Sequence, residues 1–211
     1  MNETNDKIIL ATDGSCLGNQ SDINYGGYGG IIIINRKEYE FSGNLSNTTN
    51  NRMELLAVIE GLKLIEELNK SKLPITIYSD SQYVVKSINE WLEGWKSKNF
   101  RKIKNVDLWK RYVKVSENLS ITLEWVKAHN GNTLNERADT LAFNSATSII
   151  PDNEKEAYIK AEKDLEAKRK KADNLKAKKK LKKQIAEKKQ LEIDEVNLLF
   201  SNEFNKDTPY Y

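Results

Sequence analysis

Four acidic side chains stand where carboxylates could do chemistry. Asp13 and Asp80 each follow a short apolar run typical of a buried strand. Glu54 falls in the first turn of a predicted helix, and Asp139 in the first part of the last core helix. Taken singly, each has an ordinary structural explanation, because an acid favours a helix N-terminus and an Asp after a strand often caps a turn.

Taken together, these carboxylates predict metal chemistry. Carboxylates that converge on one point repel one another and are stable chiefly when divalent cations neutralise them. Two Mg²⁺ ions roughly 4 Å apart, or Mn²⁺ in their place, would activate a water and stabilise the leaving oxygen in the hydrolysis of a phosphodiester. Spacing along the chain does not bring the four residues together, so the prediction depends on the fold.

The first half of the chain predicts three strands and a helix. Residues 7–13 are an apolar run that ends at Asp13, and two glycine pairs lead into a second strand at 31–34. After the turn-like residues 35–37, the stretch 38–42 alternates as a returning strand. Capping residues at 48–50 then precede an apolar repeat at helical spacing, which predicts a long amphipathic helix.

The second half adds two strands and further helices. The segments are a strand at 75–79 that ends in Asp80, helical stretches at 81–89 and 106–116, a strand at 121–126, and a helix at 135–148 stopped by Pro151. This order predicts an α/β domain with a mixed five-stranded sheet flanked by helices. We expect residues 1–150 to form this domain and residues 151–211 a charged helical extension.

Charge separates the two parts. Residues 1–150 hold 18 basic and 18 acidic side chains, whereas residues 151–211 hold 16 and 13, and residues 168–189 alone carry 12 basic and two acidic ones. No apolar run is long enough for a membrane span, and the first residues lack the pattern of a signal peptide. The single cysteine cannot form an internal disulfide. We therefore expect a cytoplasmic, monomeric protein with no membrane partner.

Six segments carry a resemblance to a known family. ATDGSCLGN, TTNNRMEL, YSDSQYV, NVDLW, EWVKAHNGN and NERADTLA occur in this order between residues 7 and 148. Together they resemble the successive motifs of ribonuclease H type 1. The resemblance implies an RNase H-like fold with sheet order 3-2-1-4-5, and endonucleolytic cleavage of the RNA strand of RNA–DNA hybrids that leaves 3′-hydroxyl and 5′-phosphate ends.

The resemblance also assigns catalytic roles. It implies that Asp13 bridges two metal ions, that Asp139 completes the ion on the nucleophile side, and that Glu54 and Asp80 hold the second ion. His129, the only histidine, matches the family's loop histidine, which assists proton transfer or product release. Without the resemblance, an exposed loop histidine would be the ordinary interpretation.

Further residues match the family's hybrid-binding surface. Asn50 and Gln82 would contact 2′-hydroxyls or base edges, with Asn51 as a further contact, and helix capping is the alternative for the two asparagines. Backbone contacts are implied for Gly14, Ser15 and Cys16. The remaining matches are the DNA-strand phosphate pocket (Thr49, Asn105) and the aromatic channel (Trp91, Trp95), for which core packing is the alternative.

A cationic protrusion, the family's basic handle, is implied between residues 96 and 114, where eight basic residues face one acid. Its predicted members are Lys96, Lys98, Arg101, Lys102 and Lys104. Such contacts add affinity for phosphates without sequence preference. Relative to longer family handles, the part between Trp95 and Asn105 is shortened and carries Phe100 where an aromatic is often Trp, so the handle should bind the duplex more weakly.

The extension has no counterpart in the resemblance, and several roles stay open for it. It could add nonspecific affinity for nucleic acid, dock a protein partner, pair with another helix, or remain a solvated tail. Its apolar residues hold no clean heptad, which argues against a coiled coil. For the domain, the alternatives to a hybrid nuclease are a binding module without turnover and a nuclease that acts on DNA.

Overall fold

The computed structural model describes residues 7–19, 21–128 and 130–204, with side chains up to residue 194. The chain divides into two units, residues 1–161 and 162–211. Within the described residues, no helix is both long and apolar enough to cross a lipid bilayer.

An antiparallel three-stranded meander opens the first unit. Its strands are β1 (Ile8–Leu17), β2 (Tyr25–Ile34) and β3 (Lys37–Ser46). Asn35 and Arg36 connect β2 to β3 with φ angles of 50° and 66°, as in a two-residue turn that matches the twist of the flanking strands. All three strands are longer than predicted, because pairing continues through the glycines of β2.

Two parallel strands complete the sheet. β4 (Ile75–Ser79) pairs with β1, and β5 (Ile121–Trp125) pairs with β4. The strand order is β3-β2-β1-β4-β5, which confirms the predicted mixed sheet.

Helices connect the later strands of the sheet and follow its last strand. They are α1 (Asn50–Glu67), α2 (Gln82–Lys86), a π-helical turn (Ser87–Trp91), α3 (Leu92–Ser97), α4 (Val106–Ser116), α5 (Thr133–Ser148) and α6 (Asp152–Phe204). The Thr49 side chain caps α1 by accepting a hydrogen bond from the Arg52 N–H, which confirms the predicted cap. Asn132 caps α5, which begins at Thr133, two residues before the predicted start of that helix.

The sheet lies between α1 and α5. Consecutive strand residues point to opposite faces. A Cβ added at Gly26 would meet Met53 of α1, whereas one added at Gly27 would stand 2.1 Å from the Ala142 carbonyl oxygen of α5. The glycines of β2 therefore allow both helices to approach the backbone closely, and the main core fills the space on the α1 side of the sheet.

The position of Asp13 corrects one expectation. Asp13 does not end β1, because the strand continues to Leu17 and Asp13 pairs there with Gly29. Parallel pairing with β4 stops at Ala11, so the two strands separate just before Asp13. Asp80 directly follows the last residue of β4. Both acids thus lie at the carboxyl end of the parallel strands.

The start of α6 packs on the first unit. Tyr158 joins a small apolar cluster with Leu17, Tyr25 and Ile150, and its ring meets that of Tyr25 edge to face at 5.2 Å. Its hydroxyl donates a hydrogen bond to the Ile23 carbonyl oxygen at 3.1 Å. α6 confirms the predicted long C-terminal helix. Its backbone includes the apolar segment 196–200, whose side chains lie outside the described residues.

Candidate active site

Four carboxylates act on one another around Asp13. This side chain is only 8% exposed. Burial, and then the charges of Asp80, Asp139 and Glu54, raise the pKa of Asp13 well above its ordinary value. The N–H of Gly14 opposes the shift by donating a hydrogen bond to Asp13 Oδ1 at 2.7 Å. The fold therefore brings the four predicted acids into electrostatic contact.

Glu54 reaches this region from the first turn of α1. Its Oε1 accepts a hydrogen bond from Asn50 Nδ2 at 2.8 Å, and its Oε2 accepts a short one from Ser81 Oγ. Burial raises the pKa of Glu54 to about 7; the charge of Asp80 adds to the shift, and the two hydrogen bonds oppose it. Glu54 is thus held in place by side chains from its own helix and from the start of α2.

Asp80 is held by α5. The Asn135 amide Nδ2 donates a hydrogen bond to Asp80 Oδ2 at 3.1 Å, and the indole of Trp125 donates to the Asp80 carbonyl oxygen at 3.0 Å. Asn135 is 2% exposed, and its amide oxygen is buried with no hydrogen-bond partner among the described residues. The Asn135 side chain is thus oriented by its contact with Asp80.

The donor chemistry of this cluster fits a hard divalent cation. Carboxylate oxygens are the ligands that Mg²⁺ prefers, and mutual repulsion of the acids is the cost that a cation would remove. Among the described residues, no group of three or more His, Cys, Asp or Glu side chains is already arranged as a metal site. In this arrangement both oxygens of Glu54 accept hydrogen bonds, from Asn50 and Ser81, so a cation would compete with those two side chains for the Glu54 carboxylate.

Comparison with known proteins identifies the domain. The family model described as RNase H matches residues 5–147. The chain belongs to the RNase H family. A Campylobacter jejuni protein named Ribonuclease HI is 48% identical over 147 residues, which cover 70% of this chain and 96% of the relative. Ribonuclease HI of Helicobacter pylori is 51% identical over 136 residues, 64% of this chain and 90% of the relative. The chain is therefore a ribonuclease.

A solved relative confirms the fold of the RNase H domain. The crystal structure of LC9-RNase H1, a type 1 RNase H, has a TM-score of 0.61 and 28% identity, and the match covers 69% of this chain and 74% of that one. These shares leave the C-terminal extension unmatched, in agreement with the family match, which ends at residue 147.

The residues predicted to bind the hybrid lie on the elements that carry Asp13, Glu54 and Asp80 or next to them. Gln82 is exposed at the start of α2, and Asn51 is exposed at the start of α1. Asn50 is tied to Glu54, so it links the predicted hybrid surface directly to the acids. Cys16 is buried, and its thiol donates to Asn24 Oδ1 at 3.6 Å. Ser15 is half-buried beside it.

The predicted phosphate pocket is built on a rigid polar network. Asn105 adopts a left-handed conformation with φ of 58°, accepts a hydrogen bond from Arg52, and donates one to the Tyr83 hydroxyl at 3.1 Å. Arg52 also forms two hydrogen bonds to Asp107, at 2.9 and 2.6 Å. Thr49 is exposed at the cap of the same helix. These hydrogen bonds hold the Asn105 side chain in place, and sequence reasoning missed its partners Arg52 and Tyr83. The phosphate pocket itself stays a prediction.

The two tryptophans of the predicted channel differ in burial. Trp91 is 41% exposed, whereas Trp95 is half-buried and packs edge to face on the fully buried Trp109 at 5.3 Å. The rings of Trp91 and Trp95 lie 5.9 Å apart. Core packing therefore accounts for Trp95, while Trp91 is exposed and the predicted channel stays a prediction.

The predicted basic handle is short. After α3, Asn99, Phe100 and Lys102 adopt left-handed conformations, so the segment folds as a series of turns. Lys98, Arg101 and Lys102 line one open depression, and Lys104 is exposed. Lys96 forms an ion pair with Glu93 at 2.9 Å, which reduces the charge it offers to a ligand.

Two positioning residues escaped the sequence reasoning, and one predicted residue lies outside the described structure. Ser81 and Asn135 hold Glu54 and Asp80, but in the sequence they look like capping residues. His129 lies outside the described residues, so its predicted role stays a prediction.

Proposed function

We propose that this ribonuclease cleaves the RNA strand of RNA–DNA hybrids endonucleolytically and leaves 3′-hydroxyl and 5′-phosphate ends. The observation that carries the proposal is the mutual electrostatic effect of Asp13, Glu54, Asp80 and Asp139 at one end of the parallel strands. Clustered acids at this density have little structural benefit, because each raises the cost of ionising the others. Such a cluster is expected where cations bind the acids at a phosphodiester.

RNase H family enzymes depend on metal ions, generally Mg²⁺, and Asp13, Glu54, Asp80 and Asp139 are the residues that would hold two such ions in this chain. Bound there, the ions would supply activation of the attacking water and charge stabilisation at the leaving oxygen. Asn50 and Ser81 orient Glu54, and Asn135 orients Asp80. Partners of this kind commonly change metal affinity or activity by about 10- to 100-fold when removed.

Substrate choice requires contacts that distinguish the two strands. The 2′-hydroxyl is the group that separates RNA from DNA, and it can donate and accept hydrogen bonds. Asn50 lies four residues before Glu54 and Gln82 two residues after Asp80, and both offer amide groups for this purpose. Arg52 and Asn105 form a rigid polar frame suited to a phosphate of the other strand, while Trp91 offers an exposed ring for its sugars.

A cleavage assay tests the proposal. Purified protein is incubated with an end-labelled RNA–DNA hybrid, duplex RNA or duplex DNA, in Mg²⁺, Mn²⁺ or EDTA. We expect cleavage of the RNA strand of the hybrid alone, and no cleavage in EDTA. A ligase that requires a 5′-phosphate and a 3′-hydroxyl should rejoin the products. Cutting of duplex DNA, or undiminished cleavage in EDTA, would refute the proposal. A monomeric state, a cytoplasmic location and catalysis by His129 remain predictions of the sequence.

A further inference from the structure

The described part of the second unit is a charged helix whose side chains are mostly exposed. From residue 167 to residue 194 all side chains of α6 are exposed. Residues 168–189, which we call the cationic arm, carry 12 basic and two acidic side chains, whereas residues 1–150 carry equal numbers of each. The net positive charge of the protein therefore resides in the extension.

Few of these charges are neutralised within the helix. Lys170, Lys176 and Lys183 each lie within 4.0 Å of a carboxylate one turn away. Arg169 acts on the charge of Glu162, which precedes the arm. The arm itself holds only two acids, Asp173 and Glu187, so its basic side chains far outnumber the carboxylates close to them. A surface with this much uncompensated charge attracts polyanions over a Debye length, about 8 to 10 Å at physiological salt.

The apolar side chains of the arm do not form a face. An α-helix advances by about 100° per residue, so Leu181 and Ile185 share one side of the arm, whereas Leu175 points about 120° away from Leu181 and about 80° away from Ile185. A helix that lies on a membrane needs one continuous apolar side, and a coiled coil needs a heptad seam. Lysine is also depleted at protein interfaces, and Arg169 is the only arginine in the arm. These features favour the phosphate backbone of a nucleic acid over lipid or protein.

We propose that the cationic arm binds the sugar-phosphate backbone of duplex nucleic acid without sequence preference, and so adds affinity that the short basic handle lacks. This inference rests on the proposed function, which makes a duplex the substrate of the tethered domain. The arm contacts phosphates only, so it should treat an RNA–DNA hybrid and a DNA duplex alike. Selectivity for the hybrid then remains with the RNase H domain.

Metal-free binding tests the inference independently of cleavage. Affinity for a labelled 20-base-pair hybrid and for the matching DNA duplex is measured by fluorescence anisotropy in EDTA, from 50 to 200 mM salt. The full-length triple variant K178Q/K180Q/K182Q is compared with the unaltered protein. Each lost phosphate contact lowers the salt slope by about 0.9, so three contacts would make the unaltered protein lose up to about 40-fold more affinity than the variant over this range.

A matched control has the same charge change elsewhere. The variant K7Q/K70Q/K72Q removes three exposed lysines at the edge of the sheet opposite Asp13, and we expect its salt slope to equal that of the unaltered protein. In the arm itself, D173N/E187Q should tighten binding. Circular dichroism checks that each variant keeps its helix content.

The outcomes separate the possible ligands. Equal weakening of the triple variant on both duplexes supports phosphate contact. A triple variant with an unchanged salt slope, or with weaker binding to the hybrid alone, would overturn the inference. So would a triple variant that loses binding only to phosphatidylserine vesicles. The binding experiment contains no metal and therefore does not depend on cleavage. A protein that binds in this way but does not cleave the hybrid in Mg²⁺ would contradict the proposed function and leave the arm's role intact.

Discussion

The backbone nitrogen of Glu54 lies where a side chain at position 14 would begin. A Cβ added at Gly14 would stand 2.1 Å from that nitrogen and 2.5 Å from the carbonyl carbon of Met53. The missing side chain lets the first turn of α1 lie directly on β1. This close approach brings Glu54 next to Asp13, so Gly14 determines the geometry of the acids through packing, in addition to the backbone contacts that the sequence resemblance implied for it.

Gly14→Ala should therefore remove activity and weaken the fold. The methyl group forces α1 away from β1, and a displacement of about 1 Å at a reacting centre can cost roughly 100-fold in rate. Overpacking of this kind also destabilises by about 1 to 3 kcal/mol. Steady-state cleavage of a hybrid and thermal unfolding followed by circular dichroism measure the two effects.

Gly94→Ala is the matched control for the stability measurement. No atom lies within 4 Å of a Cβ added at Gly94, which is within α3. Alanine is the better helix former by up to about 1 kcal/mol, so this variant should unfold at a slightly higher temperature. A Gly14→Ala protein with activity within threefold of the unaltered enzyme would show that the close approach is not required.

Asp13→Asn should separate activity from stability. In the fold, burial and three neighbouring acids raise the pKa of Asp13, so the folded protein binds this proton more tightly than the unfolded chain does. The free energy of unfolding therefore falls as pH rises from the ordinary pKa of an Asp side chain to the raised pKa of Asp13. At higher pH the whole loss remains. Removing the charge should raise the melting temperature of the metal-free protein at pH 8 and abolish cleavage.

The size and pH dependence of that effect provide the check. For a domain of this size, about 1 kcal/mol corresponds to roughly 2 to 4 °C in melting temperature. The gain should shrink toward pH 4, where Asp13 is protonated in the fold. Glu66→Gln, at the exposed far end of α1, should change neither activity nor melting temperature. A metal-free Asp13→Asn protein that melts at the same or a lower temperature at pH 8 would argue against repulsion at the site.

Most elements of the fold were predictable because their signals are local. The apolar repeats of α1 and α4 and the strand runs at 75–79 and 121–125 follow simple periodicities, and the helix bounds at Val106 and Ser116 agree with the prediction. The ends of β1 and β2 were not predictable in this way. Their pairing continues through glycines that are needed because α5 lies against them, and that contact joins residues more than 100 positions apart.

The site shows the same division. The four acids could be selected from the sequence because their residue type and their positions at element ends are unusual. Ser81 and Asn135 could not be selected, since both also occupy or adjoin helix caps, where such residues are common. Their partners, Glu54 and Asp80, are distant in sequence, and only the packing of α1 and α5 on the two faces of the sheet brings them into contact.

Asn135→Ala should impair catalysis through Asp80. The variant removes the amide that donates to Asp80 Oδ2 and leaves the carboxylate without that orientation. By analogy with other residues that orient metal-binding carboxylates, we expect a loss of about 10- to 100-fold in kcat and a higher Mg²⁺ concentration for half-maximal activity. A Mg²⁺ titration of the cleavage rate measures both.

Asn144→Ala is the control for this change. Asn144 lies on the same helix, α5, but its side chain is exposed, so neither kcat nor the Mg²⁺ dependence should change. If Asn135→Ala lowers the melting temperature but leaves the Mg²⁺ titration unaltered, Asn135 supports the fold and does not position Asp80.

The contacts of Tyr158 predict which part of the extension stabilises the RNase H domain. Its ring packs over Gly18 and against Tyr25, and its hydroxyl bonds to Ile23, so it fastens both ends of the β1–β2 connection. In full-length protein, Tyr158→Ala should cost about 1 to 2 kcal/mol, or roughly 3 to 6 °C, because a half-buried ring and a hydrogen bond are lost. Thermal unfolding measures this cost.

Residues 167–194 should contribute little to that stability, since their side chains are exposed. Leu181→Ala in the cationic arm should therefore leave the melting temperature unchanged, and deletion of 162–211 should lower it far less than deletion of 152–211. Equal effects of the two deletions would contradict the anchoring role of Tyr158.

The connection between β1 and β2 also supplies Asn19, whose side chain accepts a hydrogen bond from the Asn50 N–H at 2.9 Å. Because Tyr158 holds this connection in place, Tyr158→Ala should also raise the KM for the hybrid.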